Sequence, residues 1–314
     1  NTVKVLFIKP SSLGDIVHGL QLAESLRHDL SNLHVSWVAR DIFAPLVNAC
    51  HTVDKVFVFN RRGGIRDFFR LATEIRNQDF DWVVDLQGLF RSGFLTFLSK
   101  SKNKLGRTDA REFAGLFYNQ RSSLPSQGEE SHALDILLQF RKNFGLNPEP
   151  KGKLAFDSSL PEGAWNLDSH KTTLLFFPES RRAEKEWPYF DELNSYILSK
   201  HSNFRIIWAG VNQLEPSQTH TNEQFLNFSG RTPVEALPAL INFADLILAN
   251  DSGPMHLASA LGRPVLSIFG PTNPKRFGPY LIDGNSVATI RAEGGDLKNL
   301  SCEKVYNAMS SMID

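Results

Sequence analysis

Residues 244–272, ADLILANDSGPMHLASALGRPVLSIFGPT, leave few folds open to this chain. The apolar run Leu246 to Ala249 reads as a buried strand. Asn250 to Gly253 follows with three turn or cap formers in a row, and Gly253 permits a tight backbone turn. Pro254 suits the first turn of a helix, where its missing N–H has no intrahelical partner anyway. Met255 to Leu261 then reads as a short helix, with Gly262 just past its end and Pro264 preventing continuation. Val265 to Phe269 is a second buried strand. Strand, turn, helix and strand make a βαβ unit with parallel strands and a right-handed crossover.

That geometry has chemical consequences. The turn lies at the carboxyl end of its strand, where open α/β sheets bind ligands. N–H groups at the helix start face outward, and the helix dipole favours an anion there. Ser252, Gly253 and Met255 offer backbone donors for a phosphate, and Pro254 does not. Asp251 adds a carboxylate, which suits sugar hydroxyls better than phosphate oxygens. The alternative is that Asp251 and Ser252 simply cap a helix.

At 314 residues the chain is long enough for two domains. Formal net charge is zero, so no general attraction to nucleic acid is expected. Residues 1–150 carry 19 Lys and Arg against 16 Asp and Glu, and the remainder 15 against 18, so the first half is the mildly positive one. Cys50 and Cys302 form no C-x-x-C pair, which argues for a reducing compartment and against a structural zinc or disulfide framework. No run approaches the ~20 apolar residues of a spanning helix. The opening NTVKVLFIKP leads straight into a strand, without a signal-peptide pattern.

Strand and helix alternate along the first half. Strands are expected at Val3 to Ile8, His34 to Val38, Lys55 to Phe59 and Trp82 to Asp85. Helices are expected at Ile16 to Leu30, Phe43 to Ala49, Ile65 to Arg76 and Leu89 to Leu98. Past Leu105 the pattern loosens, with helices at Phe113 to Tyr118 and His132 to Phe144. Asn147 to Gly152 reads as a linker, giving domains at 1–152 and 153–314, with a last helix that has the option of packing back on the first domain. Alternation then restarts. Strands are expected at Thr173 to Phe177, Phe204 to Ala209, Glu223 to Asn227 and Val287 to Arg291. Helices are expected from Pro188 to Ser199, Pro233 to Phe243 and Cys302 to Met312. The fold class is therefore α/β, with two doubly wound Rossmann-like domains facing a cleft, and ligands favour such interfaces.

The chain contains no G-x-G-x-x-G, no P-loop pattern and no G-x-S-x-G, which argues against a nicotinamide dehydrogenase, a P-loop NTPase and a serine hydrolase. Asp79-Phe80-Asp81 has the D-x-D form of a metal-binding motif. It precedes a strand, at the end of the sheet away from ligands, and reads as a solvated turn.

SSLGD with IVH (11–18), DLQGLFRS (85–92), AREFAGLFYN (110–119), PESRRAEKEWP (178–188) and NDSGPMHLASALGRP with FGPT (250–272) together resemble glycosyltransferase family 9, and within it the type I lipopolysaccharide heptosyltransferases. The resemblance spans residue 3 to about 280. It implies the GT-B fold, with acceptor in the first domain and donor in the second. It also implies inverting transfer of heptose from ADP-heptose to a Kdo residue of the lipopolysaccharide inner core. Such enzymes act in the cytoplasm at the inner face of the inner membrane, on Kdo-lipid A, and no metal or other cofactor is implied. A related family 9 transferase with another nucleotide sugar or acceptor stays open, as does a catalytically silent nucleotide-sugar binding protein.

An inverting transfer needs a base for the acceptor hydroxyl and cations or N–H donors for the departing diphosphate. Asp15 matches the family's proposed base, and the alternative is N-capping of the following helix. His18, one turn on, fits packing or orientation, with a base role as the lesser alternative. Lys185 matches a family lysine at the diphosphate, Ser180 a hydroxyl position in the same loop, and Glu215 a carboxylate near the ribose. Asp251 matches the residue that holds the transferred sugar, with Ser252, Gly253, Met255 and His256 around the phosphate site. For the acceptor, Arg61 and Arg62 follow a strand and precede a helix, and arginine suits bidentate pairing with anions. Ser12, Gly14, Gln87, Arg91 and Arg121 are the further candidates. Phe90, Phe94, Phe97 and Leu98, with Lys100, Lys102 and Lys104 beyond, fit a half-buried helix or a surface that docks on anionic lipid.

Overall fold

The computed structural model describes residues 2–163, 170–216, 224–282, 284 and 286–313. The chain divides into two compact units, Asn1–Asp157 and Ser158–Asp314, a few residues past the Pro- and Gly-rich segment at 147–152.

The first unit holds β1 (Val3–Ile8), β2 (Leu33–Arg40), β3 (Lys55–Phe59), β4 (Asp79–Asp85), β5 (Lys100–Arg107) and β6 (Gln120–Ser122). They form one parallel sheet in the order β3-β2-β1-β4-β5-β6. Helices α1 (Leu13–Asp29), α2 (Ala44–Ala49), α3 (Gly64–Arg76), α4 (Phe90–Leu98) and α5 (Ala133–Leu138) connect and flank it. Val5 to Ile8 of the central β1 are completely buried, as a parallel strand covered on both faces requires. Each such side chain contributes roughly 1.5–3 kcal/mol of hydrophobic stabilisation. Arg141, fully buried, pins the far end of α1 by donating to the Ser25 carbonyl and, at 2.5 Å, to Asp29.

The elements depart from expectation in instructive places. α1 begins at Leu13, because the carboxylate of Asp15 turns back to accept from Ser12 N at 3.1 Å and Ser12 Oγ at 2.7 Å. β2 continues past Val38 to Arg40, whose backbone is held in register opposite Phe59. Asp79-Phe80-Asp81 is the start of β4 and not a turn. Phe80 packs inward against Phe57, while Asp81 accepts from Lys4 N at 2.8 Å. β5 and β6 were not legible, because their polar side chains conceal the strand pattern. Asn119 accepts from Lys104 N, and Gln120 donates to Asn103, each at 2.8 Å. Residues 113–118 form only a 3-10 turn at Ala114–Phe117, entered through left-handed Glu112 and Phe113. The expected helix at 132–144 is α-helical to Leu138 and then tightens to 3-10 as far as Phe144, ending on left-handed Gly145.

The second unit repeats the winding. Its strands are β7 (Thr172–Phe177), β8 (Phe204–Trp208), β9 (Phe225–Asn227), β10 (Leu246–Asn250), β11 (Val265–Phe269) and β12 (Val287–Arg291). Their parallel order is β12-β11-β10-β7-β8-β9. Helices α6 (Phe190–Lys200), α7 (Leu237–Phe243), α8 (Gly253–Ala260), α9 (Pro274–Phe277) and α10 (Cys302–Ile313) complete it. Glu223, the expected start of β9, lies outside the described residues. Cys302, Val305 and Met309 of α10 join Leu193 and Ile197 of α6 in this unit's core. Among the described residues no helix is long and apolar enough to cross a membrane.

Each sheet reverses its winding once, between β1 and β4 in the first unit and between β7 and β10 in the second. The loops leaving those strands are where the chemistry gathers.

Candidate active site

In the second unit, Asn250 ends β10 fully buried and clips the loop after β7 at both ends. Its Nδ2 donates to the Pro178 carbonyl at 2.7 Å, and its Oδ1 accepts from Trp187 N at 3.1 Å. Inside the loop, Ser180 N donates to Glu186 at 2.8 Å, and Ser180 Oγ lies 3.4 Å from the Asp251 carbonyl. The 3-10 turn Ala183–Lys185 then aims Lys185 Nζ at Asp251 Oδ2, 2.6 Å away. Thr272, after β11, donates to the same oxygen at 2.6 Å.

The sequence left open whether Asp251 and Ser252 merely cap the next helix. No side chain caps α8. Asp251 is committed to Lys185 and Thr272, and Ser252 Oγ donates back to the Asn250 carbonyl at 3.2 Å. The first turn of α8 therefore offers its N–H groups with a lysine beside them, an arrangement fitted to a phosphate. Met255 is completely buried, so only its backbone can serve, and His256 is half-buried. Glu215 is exposed and accepts from Gln213 Nε2 at 2.5 Å. Glu179 ties the β7 loop to the β8 loop by accepting from Val211 N and from Asn212 N, the latter at 3.0 Å. A separate hollow of about 660 Å³ between the β7 loop and residues 294–298 includes none of the expected donor residues.

In the first unit, a pocket of about 370 Å³ opens at the switch point between β1 and β4. Ile8, Val38, Phe59, Phe68, Leu71 and Leu95 make its walls apolar. Arg40, Arg61 and Arg91 bring three guanidinium groups to it, against the single carboxylate of Glu112. Two buried polar atoms here make no hydrogen bond, Gln87 Oε1 and Arg40 Nε, the latter having only the Asp41 carboxylate 4.0 Å away. Buried polar groups normally have partners, so both atoms suit an incoming polar ligand. Arg91 also lies 5.9 Å over the Phe59 ring. Arg62 and Arg121 are not part of this lining. Arg62 N donates to Asn60, and Arg121 to the Gly115 carbonyl at 2.9 Å.

Asp15 sits at the carboxyl end of β1 in the first turn of α1, half-exposed, with Gly14 buried beside it. Lys9 Nζ approaches its carboxylate to 3.8 Å. Burial pushes the Lys9 ammonium below its usual range, and the Asp15 charge opposes that shift. His18 is buried one turn on and packs edge-on to His132. Below the pocket, Asp85 is fully buried at the end of β4. It accepts from Tyr118 Oη at 2.6 Å, Gln87 N at 2.9 Å and Gly88 N at 3.0 Å. Burial pushes its carboxyl up, and burial likewise pushes up the Tyr118 hydroxyl, reinforced by Asp85. The pair shapes the loop that presents Gln87. Gly106 is required by the same pair, because a Cβ there would lie 2.1 Å from the Tyr118 ring.

Sequence reasoning missed Arg40, Asp85, Asn250 and Thr272. All four lie at or just beyond the carboxyl end of a strand, the signal that had singled out Arg61. Among the described residues, no group of three or more His, Cys, Asp or Glu is placed to hold a metal ion.

Two doubly wound parallel sheets, each with polar residues gathered at its switch point, define the GT-B class of glycosyltransferase. The profile described as "Glycosyltransferase family 9 (heptosyltransferase)" matches residues 68–307. The chain belongs to glycosyltransferase family 9, the heptosyltransferases. It is 27% identical over 333 residues to lipopolysaccharide heptosyltransferase 1 of Escherichia coli K12, covering 99% of this chain and 100% of that one. It is 27% identical over 283 residues to the lipopolysaccharide core heptosyltransferase OpsX of Haemophilus influenzae, covering 87% of this chain and 80% of the relative. In fold it is similar to the E. coli heptosyltransferase WaaC with ADP, at a TM-score of 0.82 and 23% identity, covering 99% of this chain and 100% of that one.

Proposed function

We propose that the chain is an inverting heptosyltransferase of the lipopolysaccharide inner core, using ADP-heptose as donor and a Kdo residue of Kdo-lipid A as acceptor at the cytoplasmic face of the inner membrane. The observation that carries the donor side is the Lys185–Asp251–Thr272 cluster beside the uncapped start of α8. A diphosphate would take the α8 N–H groups and share the Lys185 ammonium. Asp251 would meet hydroxyls of the transferred sugar, and Glu215 the ribose. Relatives bearing the name lipopolysaccharide heptosyltransferase, at 27% identity over nearly the full chain, support the choice of sugar and pathway.

On the acceptor side, an acidic sugar suits the pocket of Arg40, Arg61 and Arg91. The acceptor hydroxyl gives its proton to Asp15, and its oxygen forms the new bond to the anomeric carbon. The bond from that carbon to the β-phosphate oxygen breaks, and ADP leaves with the electron pair. Attack opposite the leaving group inverts the configuration. Lys9 Nζ lies 3.8 Å from the Asp15 carboxylate, and Ser12 N and Ser12 Oγ donate to it, which holds the carboxylate at the start of α1.

Calorimetric titration tests the donor assignment. Lys185→Ala is expected to weaken ADP and intact ADP-heptose alike, by roughly tenfold or more, since charge-assisted hydrogen bonds are worth about 1.5–3 kcal/mol. Asp251→Ala is expected to weaken ADP-heptose more than ADP, because only the donor carries the sugar. Equal losses for Asp251→Ala would remove its sugar role.

A further inference from the structure

Six large apolar side chains of the first unit, Ile65, Phe69, Phe90, Phe97, Phe113 and Leu116, are each 48–79% exposed. They fall on α3, α4 and the turn at 113–117, and a continuous set of ring contacts joins these elements. Phe68 stacks on Phe94 at 6.0 Å, Phe94 on Phe90 and on Phe97 at 6.1 and 6.3 Å, and Phe117 closes on Phe90 at 5.6 Å. Water-facing aromatic clusters of this extent mark an interaction surface.

The charges around the rings narrow the partner. Arg61, Arg62, Arg66, Arg91 and Arg111 have no ion-pair partner among the described residues. The nearby carboxylates are occupied. Asp67 and Glu74 pair with Arg70, and Glu112 accepts from Phe90 N at 3.1 Å. Lys104 reaches back to the Phe97 carbonyl at 2.6 Å, with its ammonium 5.3 Å from that ring. An apolar patch in a cationic rim complements an anionic one. A second copy of this chain would set arginine against arginine across a two-fold interface, which disfavours self-association.

We infer that this face of the first unit docks on anionic phospholipid, with the rings in the acyl boundary and the arginines at the headgroups. Phe68 and Arg91 belong both to this surface and to the arginine pocket, so the pocket opens beside the bilayer. A lipid-linked sugar can then reach the pocket while its acyl chains stay in the membrane. This purpose rests on the proposed acceptor, but the docking itself does not.

Co-sedimentation of the full chain with vesicles tests the docking without donor or acceptor. Binding is expected to vesicles of phosphatidylglycerol and phosphatidylcholine, to be much weaker to phosphatidylcholine alone, and to fall with added salt. The triple change Ile65→Ser, Phe69→Ser, Phe97→Ser is expected to lower the partition coefficient about tenfold or more, with thermal stability retained. Arg66→Glu, which leaves the rings intact, is expected to weaken binding to anionic vesicles only. Wild-type protein that ignores anionic vesicles would overturn the inference, as would a triple variant that binds them normally. Sedimentation velocity that finds a dimer lost in the triple variant would assign the face to self-association instead. Loss of transfer activity with vesicle binding intact would count against the proposed reaction and leave the docking standing.

Discussion

Asp15→Asn is expected to lower kcat by about 10²–10⁴-fold and to leave the affinity for ADP-heptose nearly unchanged. The substitution keeps the shape of the side chain and its oxygen, so Ser12 N can still be satisfied and α1 should start where it does now. What it removes is the ability to take a proton. The structure narrows the alternative that Asp15 is only a helix cap. It does perform a capping function, through Ser12, yet about half of its side chain remains accessible with a buried lysine at 3.8 Å. A capping residue alone has no need of that lysine. If the Asn variant turned over at near-normal rate, the capping role would be its whole role. Thermal unfolding of the Asn variant is expected to match the wild type, because the bond from Ser12 N that starts α1 is kept, whereas loss of a cap would cost about 1 kcal/mol.

Arg40→Ala combined with Arg61→Ala is expected to raise the acceptor KM by about a hundredfold, with the donor KM almost unmoved. The figure follows from two charge-assisted hydrogen bonds of about 1.5–3 kcal/mol each, partly screened by salt. Both guanidinium groups line the same pocket, and Arg40 Nε is buried without a hydrogen bond. Arg62→Ala is the internal comparison. It neighbours Arg61 in sequence but lies outside the pocket lining, so a smaller effect is expected. Steady-state kinetics with acceptor and donor varied separately decides the matter. An unchanged acceptor KM in the double variant would move the acceptor away from this pocket.

The legible parts of this fold are those whose sequence signal is local. The βαβ unit at 244–272 could be read almost residue by residue, because its strands are uniformly apolar and its helix is bracketed by Gly253, Pro254 and Gly262. β5 was hidden because a strand reading KSKNKLGR is stabilised by pairing with β4 and by side-chain bonds from Asn119, none of which its own composition reveals. The site divides in the same way. Asp15, Lys185 and Asp251 stand in motifs that carry a family resemblance. Arg40 stands two residues past the expected end of β2, and its importance comes from the register that sets it opposite Phe59. Thr272 closes the FGPT motif, and only the folded chain brings its hydroxyl to Asp251 across 21 residues.

The central claim is the transfer itself. Incubating the chain with ADP-heptose and Kdo-lipid A, and following ADP release and the acceptor's mass together, tests it most directly. The expected result is one ADP released for each acceptor that gains one heptosyl residue, with the new bond inverted at the anomeric carbon. ADP-heptose left intact, ADP released with no gain in acceptor mass, or a product of retained configuration would contradict it.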